Sequence, residues 1–263
     1  MNREPETARE TAGVRIDRSG DGVATLWLDR PPLNVLDLTT LAALGDAARS
    51  LAAAPPRVLV VRGAGRCFSA GVAVEDHTAD RIGLMLERFH GALEALRTLP
   101  AVSVAAVHGH CLGGGMELAA ACDLALAADD ARFAQPEVKL GCYPPYAAAL
   151  YPARLGTRRT LDLLLTGRTI DAAEAERIGF VNRVVPAAGL DAAVAGLAGE
   201  LTGLSAAVAR LTKRAVAAGE RGDHAAALAE CERIYLEELA ASEDMQEGIA
   251  AFLEKRPAAW KHR

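Results

Sequence analysis

The sequence predicts an α/β fold with parallel strand pairing, and three observations support this prediction. Short apolar runs rich in β-branched residues alternate along the first half of the chain with longer stretches of helical periodicity. From about Gly156 onward the pattern is mostly helical. Of the 263 residues, 51% are hydrophobic and 24% charged. This composition is that of a folded globular chain and excludes a disordered or fibrous one.

The first elements are a strand, a helix and a second strand. Val23–Leu28 reads as a strand that ends at the turn-forming sequence DRPP at 29–32. Asp37 can cap a helix whose apolar residues recur at helical spacing and which Pro55 and Pro56 stop. The run RVLVVR at 57–62 is short and rich in β-branched residues, so we predict a buried strand there.

The pattern repeats further along the chain. A helix at about Ile82–Leu96 is followed by a strand at Val102–Val107. Three glycines at 113–115 begin a short helix, and Asp123–Ala128 is the third apolar run. Two apolar stripes then mark the C-terminal helices, namely Leu228, Cys231, Tyr235 and Leu239 on the first and Met245, Ile249 and Phe252 on the second.

Charge and cysteine content narrow the class of protein. The net charge is −5 and the basic residues are scattered, so we expect no nucleic-acid partner. The most apolar stretches are short or broken by Asp123, so we expect no membrane span. The five cysteines form an odd set without a C-x-x-C pair, which favours a reducing compartment. The N-terminus lacks the apolar region of a secretory signal, and we therefore expect a cytoplasmic protein.

The strongest local motif is HGHCLGGGMELA, which starts at His108. Three glycines directly after a strand and before a helix leave the first helical N–H groups uncovered, where an anion could sit. The alternative is close packing of the strand on the helix, with Glu117 complementing the helix dipole. The glycines do not fit G-x-G-x-x-G, because Leu118 stands where the last glycine belongs, so a dinucleotide site is not supported.

Two further motifs are weak alone but inform the first. Small residues at Cys67–Val72 follow a strand and expose amides, although taken alone they fit a plain tight turn better. Gln135-Pro136-Glu137 supplies a carboxylate, which in isolation would be a solvated surface group. Together the three motifs offer two glycine-flanked amide sites and two carboxylates. These are the groups that an oxyanion hole with a general acid–base pair requires.

Other chemistry is less well supported. His108, His110 and Cys111 suggest a metal, but no second ligand cluster accompanies them, so we expect no metal site. Cys67 and Cys111 lack an evident activating base and suit small core positions. Three tyrosines near Glu137 could be ordinary packing or could line a pocket, namely Tyr143, Tyr146 and Tyr151.

Several motifs stand in one order along the chain, namely FSAGV (68–72), HGHCLGGGMELAAACDLALA (108–127), FAQPEVKLG (133–141) and LTGRTIDAAEAERIGFVNRVV (165–185). Together they resemble the crotonase family, the enoyl-CoA hydratase/isomerase superfamily. The resemblance runs from Leu28 to the C-terminal EGIAAFLEKRPAAW. It implies a spiral of ββα units in residues 1–200, a helical trimerisation region in residues 201–263, and acyl-CoA thioester substrates.

The resemblance also implies roles for individual residues. Val72 and Gly114 match the two positions whose amides form the family's oxyanion hole. Glu117 and Glu137 match the two carboxylates of its hydratases, in which the first accepts a proton from water and the second delivers one to carbon. Ala70 matches a backbone position that contacts the CoA adenine.

Contacts across subunits are implied as well. Phe252 and Lys255 match C-terminal positions that commonly reach CoA across a subunit interface, and a lysine there suits a phosphate. The resemblance therefore implies a homotrimer or a dimer of trimers. It implies no metal or redox cofactor, since coenzyme A enters as part of the substrate.

Two departures from the family pattern bear on the substrate. Ala73 stands where the family often has an acidic residue after the first oxyanion position. The common glycine-rich loop after the second carboxylate is replaced by CYPPYAAA at 142–149. This loop resembles the cyclohexadienecarbonyl-CoA hydratase branch, and a pocket walled by Tyr143 and Tyr146 would suit a ring-shaped acyl group.

Three functions are consistent with the sequence. The first is hydration of an α,β-unsaturated acyl-CoA, which retention of both carboxylates favours. The second is double-bond isomerisation in the same oxyanion hole, which can proceed with one carboxylate. The third is a non-catalytic acyl-CoA-binding protein of the same fold, against which the intact glycines and paired glutamates argue.

Overall fold

The computed structural model describes residues 12–220 and 223–263. The strands in these residues are β1 (Val14–Arg18), β2 (Val23–Leu28), β3 (Val58–Gly63), β4 (Val102–Val107), β5 (His110–Leu112), β6 (Leu124–Ala128), β7 (Arg132–Ala134), β8 (Ile170–Asp171) and β9 (Arg183–Val185). The α-helices are α1 (Leu38–Ala53), α2 (Ile82–Arg97), α3 (Gly114–Ala121), α4 (Pro145–Leu155), α5 (Thr157–Thr166), α6 (Ala172–Arg177), α7 (Leu190–Thr202), α8 (Ala206–Gly219), α9 (His224–Arg233) and α10 (Glu243–Glu254). A π-helical segment, Ile234–Leu239, follows α9 directly.

Two sheets organise the strands. The larger has the order β1-β2-β3-β4-β6-β9, in which only the β1–β2 pair is antiparallel. The smaller has the order β5-β7-β8, with β5 parallel to β7. The predicted α/β fold with parallel pairing is therefore confirmed.

The larger sheet is covered on both faces. Along β3, Leu59 and Val61 face the main core, which α1 and α2 complete. Val58 and Val60 face a second core, which α7 closes. A strand buried on both faces has a continuous apolar sequence, because neither of its faces contacts solvent.

The local sequence signals are confirmed at several element ends. Asp37 caps α1 by accepting a hydrogen bond from the Thr40 amide at 2.8 Å. The helix ends before Pro55, as expected of a residue that cannot continue it. The strands predicted at Val23–Leu28 and Val102–Val107 have those bounds.

The C-terminal third is mostly helical, as predicted, but it also contains the short strands β8 and β9, which extend the two sheets. Four residues of the predicted apolar stripes are 48–83% exposed, namely Leu228, Tyr235, Ile249 and Phe252. These faces are therefore not covered by the described residues of the same chain. The division at residue 200 remains a prediction.

In the described part of the chain, no single helix has the length and apolar character to cross a membrane. One pair of helices, Ala187–Thr202 and Ala206–Gly219, satisfies both criteria only when counted together across a bend of 102°.

Candidate active site

The first two motifs meet where two neighbouring parallel strands end. β3 and β4 are paired, so the segments that follow them leave the same edge of the sheet. The Phe68 amide donates to the His108 carbonyl at 2.9 Å, and the Ser69 amide donates to the His110 carbonyl at 3.0 Å. The Leu112 amide returns a bond to the Ser69 carbonyl at 3.0 Å. These bonds hold the two glycine-flanked segments side by side.

The amides of Val72 and Gly114 are both available to a ligand. On either side of Val72, Leu36 donates to the Gly71 carbonyl at 2.9 Å and accepts from the Ala73 amide at 3.1 Å. Because alternate residues of an extended segment point to opposite sides, the Val72 N–H faces away from Leu36. Among the described residues, neither the Val72 amide nor the Gly114 amide has a hydrogen-bond acceptor.

The two segments that carry these amides lie close together. A β carbon placed on Gly71 would lie 3.4 Å from the Gly114 nitrogen. Gly114 is also the first residue of α3, so its N–H lacks an intrahelical partner and lies at the positive end of the helix dipole. Both amides are therefore available to one anionic oxygen, and the oxyanion hole itself stays a prediction.

The glycines of the motif are required by close contacts. Gly113 has φ 51° and ψ −125°, and a β carbon there would lie 2.6 Å from Oε1 of Glu137. A β carbon on Gly114 would lie 2.7 Å from Cγ2 of Val72 and 3.0 Å from Cζ of Phe89. Close packing and an exposed amide therefore occur together here, since only glycine leaves room for the Glu137 carboxylate beside α3.

Glu117 is one of the two predicted carboxylates, and it is buried in the first turns of α3. Its Oε1 accepts a hydrogen bond from the Ala147 amide at 2.8 Å. Burial raises the pKa of Glu117 to about 8, and the nearby charge of Glu137 adds to the rise. The backbone amides of Ala147 and Tyr146 oppose it by stabilising the charged form.

Glu137 is half-buried in a short 3-10 turn that follows β7. Burial raises its pKa to about 7. With the Gln135 amide assigned by its hydrogen bonds, its nitrogen donates to Oε1 and Oε2 of Glu137 at 3.2 and 3.1 Å. The Gln135 oxygen then accepts from the Tyr151 hydroxyl at 2.8 Å. Gln135 and Tyr151 are fully buried, so this pair fixes the position of Glu137 from behind.

One cleft of about 400 Å³ brings most of the predicted site residues together. Its lining includes Ala70, Val72, Gly114, Glu117 and Glu137. Two amides can stabilise an oxyanion in this space while two carboxyl groups with pKa values near neutrality exchange protons beside it. A larger cavity of about 780 Å³ lies between α8 and the core, and none of these five residues lines it.

The three tyrosines differ in their position relative to the cleft. Tyr143 lines the cleft and is 69% exposed. Tyr146 does not line this cleft but lies behind its wall, and its contact with substrate stays a prediction. Its ring packs on His90 with centroids 5.9 Å apart, and its hydroxyl donates to Glu94 at 3.0 Å. Tyr151 is likewise buried and supports Gln135.

Phe252 and Lys255 lie apart from this cleft. Phe252 is on α10 with most of its ring exposed, and Lys255 is the exposed residue that ends the helix. Neither lines the cleft of its own chain. Their contact with coenzyme A needs a second subunit and stays a prediction.

Sequence reasoning missed Gln135 as a functional residue and the whole contribution of α2. Gln135 stands two positions before Glu137, and its signal in the sequence is a polar residue directly after the apolar end of a strand. The α2 residues that line the cleft are Ile82, Met85, Leu86, Phe89 and His90. Their helical spacing was visible, but an apolar helix face can equally well be core.

Comparison with known proteins identifies the family of the chain. The model of the enoyl-CoA hydratase/isomerase family matches residues 18–263. The cyclohexa-1,5-dienecarbonyl-CoA hydratase of Thauera aromatica is 39% identical over 253 residues, which cover 95% of this chain and 96% of that protein. The crotonyl-CoA hydratase of Syntrophomonas wolfei is 36% identical, covering 90% of this chain and 93% of its own.

Solved structures give the same result. The crystal structure of enoyl-CoA hydratase from Bacillus anthracis superimposes with a TM-score of 0.90 at 29% identity, covering 96% of this chain and 100% of that one. The chain belongs to the enoyl-CoA hydratase/isomerase family and has the crotonase fold. Within that family it is an enzyme of the enoyl-CoA hydratase-like lyases.

Proposed function

We propose that this enzyme adds water across the carbon–carbon double bond of an α,β-unsaturated acyl-CoA thioester. The observation that carries the proposal is the cleft in which two free amides, of Val72 and Gly114, lie beside the buried carboxyl group of Glu117 and the half-buried one of Glu137. Hydration needs both kinds of group, because negative charge builds on the thioester oxygen while water loses a proton and carbon gains one.

The amides would act on the thioester carbonyl. As water attacks the β carbon, the electron pair of the double bond moves toward the carbonyl oxygen and forms an enolate. The Val72 and Gly114 N–H groups would hold that oxygen with no reorganisation, since both are fixed by the backbone. Losing one such donor typically costs about 2.7–4 kcal/mol of transition-state stabilisation.

The carboxyl groups would exchange the protons. In the proposed assignment, Glu117 accepts the proton of the attacking water and Glu137 delivers a proton to the α carbon. The raised pKa values of both groups support a coupled pair that holds one proton between its members near neutrality. The division of roles within the pair rests on the resemblance to the family's two carboxylates and not on the pKa values. The Gln135 amide would keep Glu137 directed at the carbon.

For the acyl group, we propose a cyclic dienoyl thioester. The relative from Thauera aromatica bears the name of such a hydratase at 39% identity. Pro144, Pro145 and Tyr143 line the cleft where the family often has a glycine-rich loop, and they would give a ring a rigid wall.

Binding and assembly follow from the same proposal. Ala70 would contact the CoA adenine, and Phe252 and Lys255 of one chain would reach the CoA bound to another in a homotrimer or a dimer of trimers. The exposed apolar faces of the C-terminal helices support this assembly. Coenzyme A would enter with the substrate and no other cofactor would be used. All five cysteines are free, which supports a cytoplasmic location.

The test is turnover on linear, branched and cyclic unsaturated CoA esters, with products analysed by mass spectrometry. Hydration adds the mass of one water, and we expect that gain, largest with a cyclic dienoyl ester. A product of unchanged mass would identify an isomerase. Binding of CoA esters without turnover of any of them would identify a non-catalytic binding protein.

A further inference from the structure

One polar side chain interrupts the apolar wall that α2 presents to the cleft. The five α2 residues in that wall are Ile82, Met85, Leu86, Phe89 and His90. Four of them are apolar, and His90 alone carries hydrogen-bonding atoms. An imidazole at this position needs an explanation, because another apolar residue would complete the wall.

His90 is unpaired. Neither of its ring nitrogens has a hydrogen-bond partner in the described residues, and Nε2 is completely buried. The other histidine of the cleft, His77, differs, because its Nδ1 lies 3.0 Å from the Ala73 carbonyl oxygen. Polar atoms inside proteins nearly always find a partner. Nε2 has no accessible surface, whereas Nδ1 is not among the buried unpaired atoms, so we expect a molecule that fills the cleft to bind the imidazole at Nδ1.

The groups behind His90 are engaged with one another. The Tyr146 ring packs on the imidazole at 5.9 Å, and its hydroxyl donates to Glu94. Arg97 in turn donates to the same carboxylate at 2.9 and 2.7 Å. Burial lowers the pKa of His90, and the opposing effect of Glu94 is smaller. The imidazole is therefore neutral near pH 7 and offers one donor and one acceptor.

We propose that His90 is a specificity-determining residue that hydrogen-bonds an oxygen substituent on the acyl group of the substrate. The inference rests on the proposed acyl-CoA function. In that function the two amides bind the thioester oxygen and the two glutamates lie beside the double bond. The remainder of the acyl group would then face the α2 wall. A hydroxyl or keto oxygen there would satisfy the imidazole, whereas a plain hydrocarbon group would leave it buried and unpaired.

Saturated CoA esters test this inference independently of catalysis, because they bind without reacting. Hexanoyl-CoA is compared with its hydroxyl and keto derivatives, and cyclohexanecarbonyl-CoA with its ring-hydroxylated derivative, by calorimetric titration of the full-length protein. We expect the oxygenated ester of at least one pair to bind at least about fivefold more tightly.

Variants locate the preference. His90→Leu should bring the affinity ratio close to one, and His90→Gln, which keeps a donor and an acceptor, should retain part of it. His224→Leu removes an exposed imidazole at the start of α9 and should keep the wild-type ratio.

Equal affinities in every pair for the wild-type protein would overturn the inference, as would a preference that persists in His90→Leu. Should His90→Leu fail to fold, the wild-type ratios and His90→Gln still decide. Hydration of the unsaturated esters is assayed separately. If the protein prefers oxygenated esters but adds no water to any ester, the proposed hydratase activity is contradicted and the role of His90 stands. If it adds water but shows no preference for oxygenated esters, only the proposed role of His90 is contradicted.

Discussion

At the scale of single residues, the proposed chemistry depends on the two glutamates. Glu117→Gln and Glu137→Gln should each lower the hydration rate by at least about a hundredfold, because each removes a group that exchanges a proton in the transition state. Binding of a saturated acyl-CoA should change little, since the oxyanion amides remain. Steady-state kinetics with calorimetry measures both quantities. Glu200→Gln, an exposed change on α7, is the control, and near-normal turnover in both active-site variants would reject the acid–base roles.

Burial of these carboxyl groups also makes stability depend on pH. The folded-state pKa of Glu117 is about 8 against an ordinary 4.5, so the unfolded chain releases this proton first as the pH rises. The folded state therefore loses stability between pH 4.5 and about 8, each unit of difference being worth about 1.4 kcal/mol.

Glu117→Gln removes the pH-dependent loss of stability, because glutamine does not titrate. It keeps an oxygen that can accept a hydrogen bond from the Ala147 amide. The variant should gain stability relative to the wild type as the pH rises across this range. Urea unfolding at both ends of the range measures the difference, and a difference that stays constant with pH would contradict a buried, titrating carboxyl at this position.

We expect Gln135 to act on the rate through Glu137. Its amide donates to both oxygens of that carboxylate and so favours the charged form. Gln135→Leu should shift the pH–rate limb that belongs to Glu137 upward and lower kcat more than it raises KM. Gln246→Leu, on an exposed face of α10, should leave the profile unchanged. An unshifted profile in Gln135→Leu would show that the residue only packs.

At the scale of elements, the start of α3 combines a strained backbone conformation with residues of the candidate site. Gly113→Ala forces a side chain into a left-handed φ of 51° and into the space of the Glu137 carboxylate. We expect a loss of about 1–3 kcal/mol in unfolding free energy together with a large loss of turnover. Gly199→Ala in α7 meets no atom within 4 Å and should be neutral or stabilising by about 0.4–1 kcal/mol. Equal effects of the two changes on stability and rate would contradict this account.

Elements with strong local signals could be predicted from the sequence. The Asp37 cap, the Pro55 stop and the β-branched runs of β3 and β4 each act within a few residues of the chain. The position of Tyr146 could not be predicted, because helical spacing shows which residues share a face but not which partner that face meets. β8 and β9 were missed for a similar reason, since strands of two and three residues owe their conformation to pairing with distant strands.

The candidate site could be predicted in part. The two amides and the two glutamates lie in motifs with local glycine signals, and all four residues line the cleft. Gln135 and the α2 wall depend on long-range packing, so a pattern of apolar spacing could not distinguish them from core. The unpaired state of His90 is visible only once the surrounding residues are in place.

At the scale of the whole molecule, the C-terminal helices leave apolar surface uncovered. Leu236 is 70% exposed, and Leu228 on α9 and Phe252 on α10 are 48% and 83% exposed. We expect a sedimentation mass of three or six copies of the 27.5 kDa chain. Leu236→Glu should weaken the assembly, because it places a charge in the apolar contact, whereas Ser50→Glu at the exposed end of α1 should not. A wild-type protein that sediments as a monomer would contradict the proposed assembly.

The outward position of Phe252 and Lys255 has a consequence for enzymology. If these side chains complete the cleft of a neighbouring subunit, each catalytic centre contains residues of two chains. An isolated chain then binds its thioester with fewer contacts. Specific activity would then fall when the enzyme is diluted below the concentration at which subunits separate, and would recover on reconcentration without any refolding step.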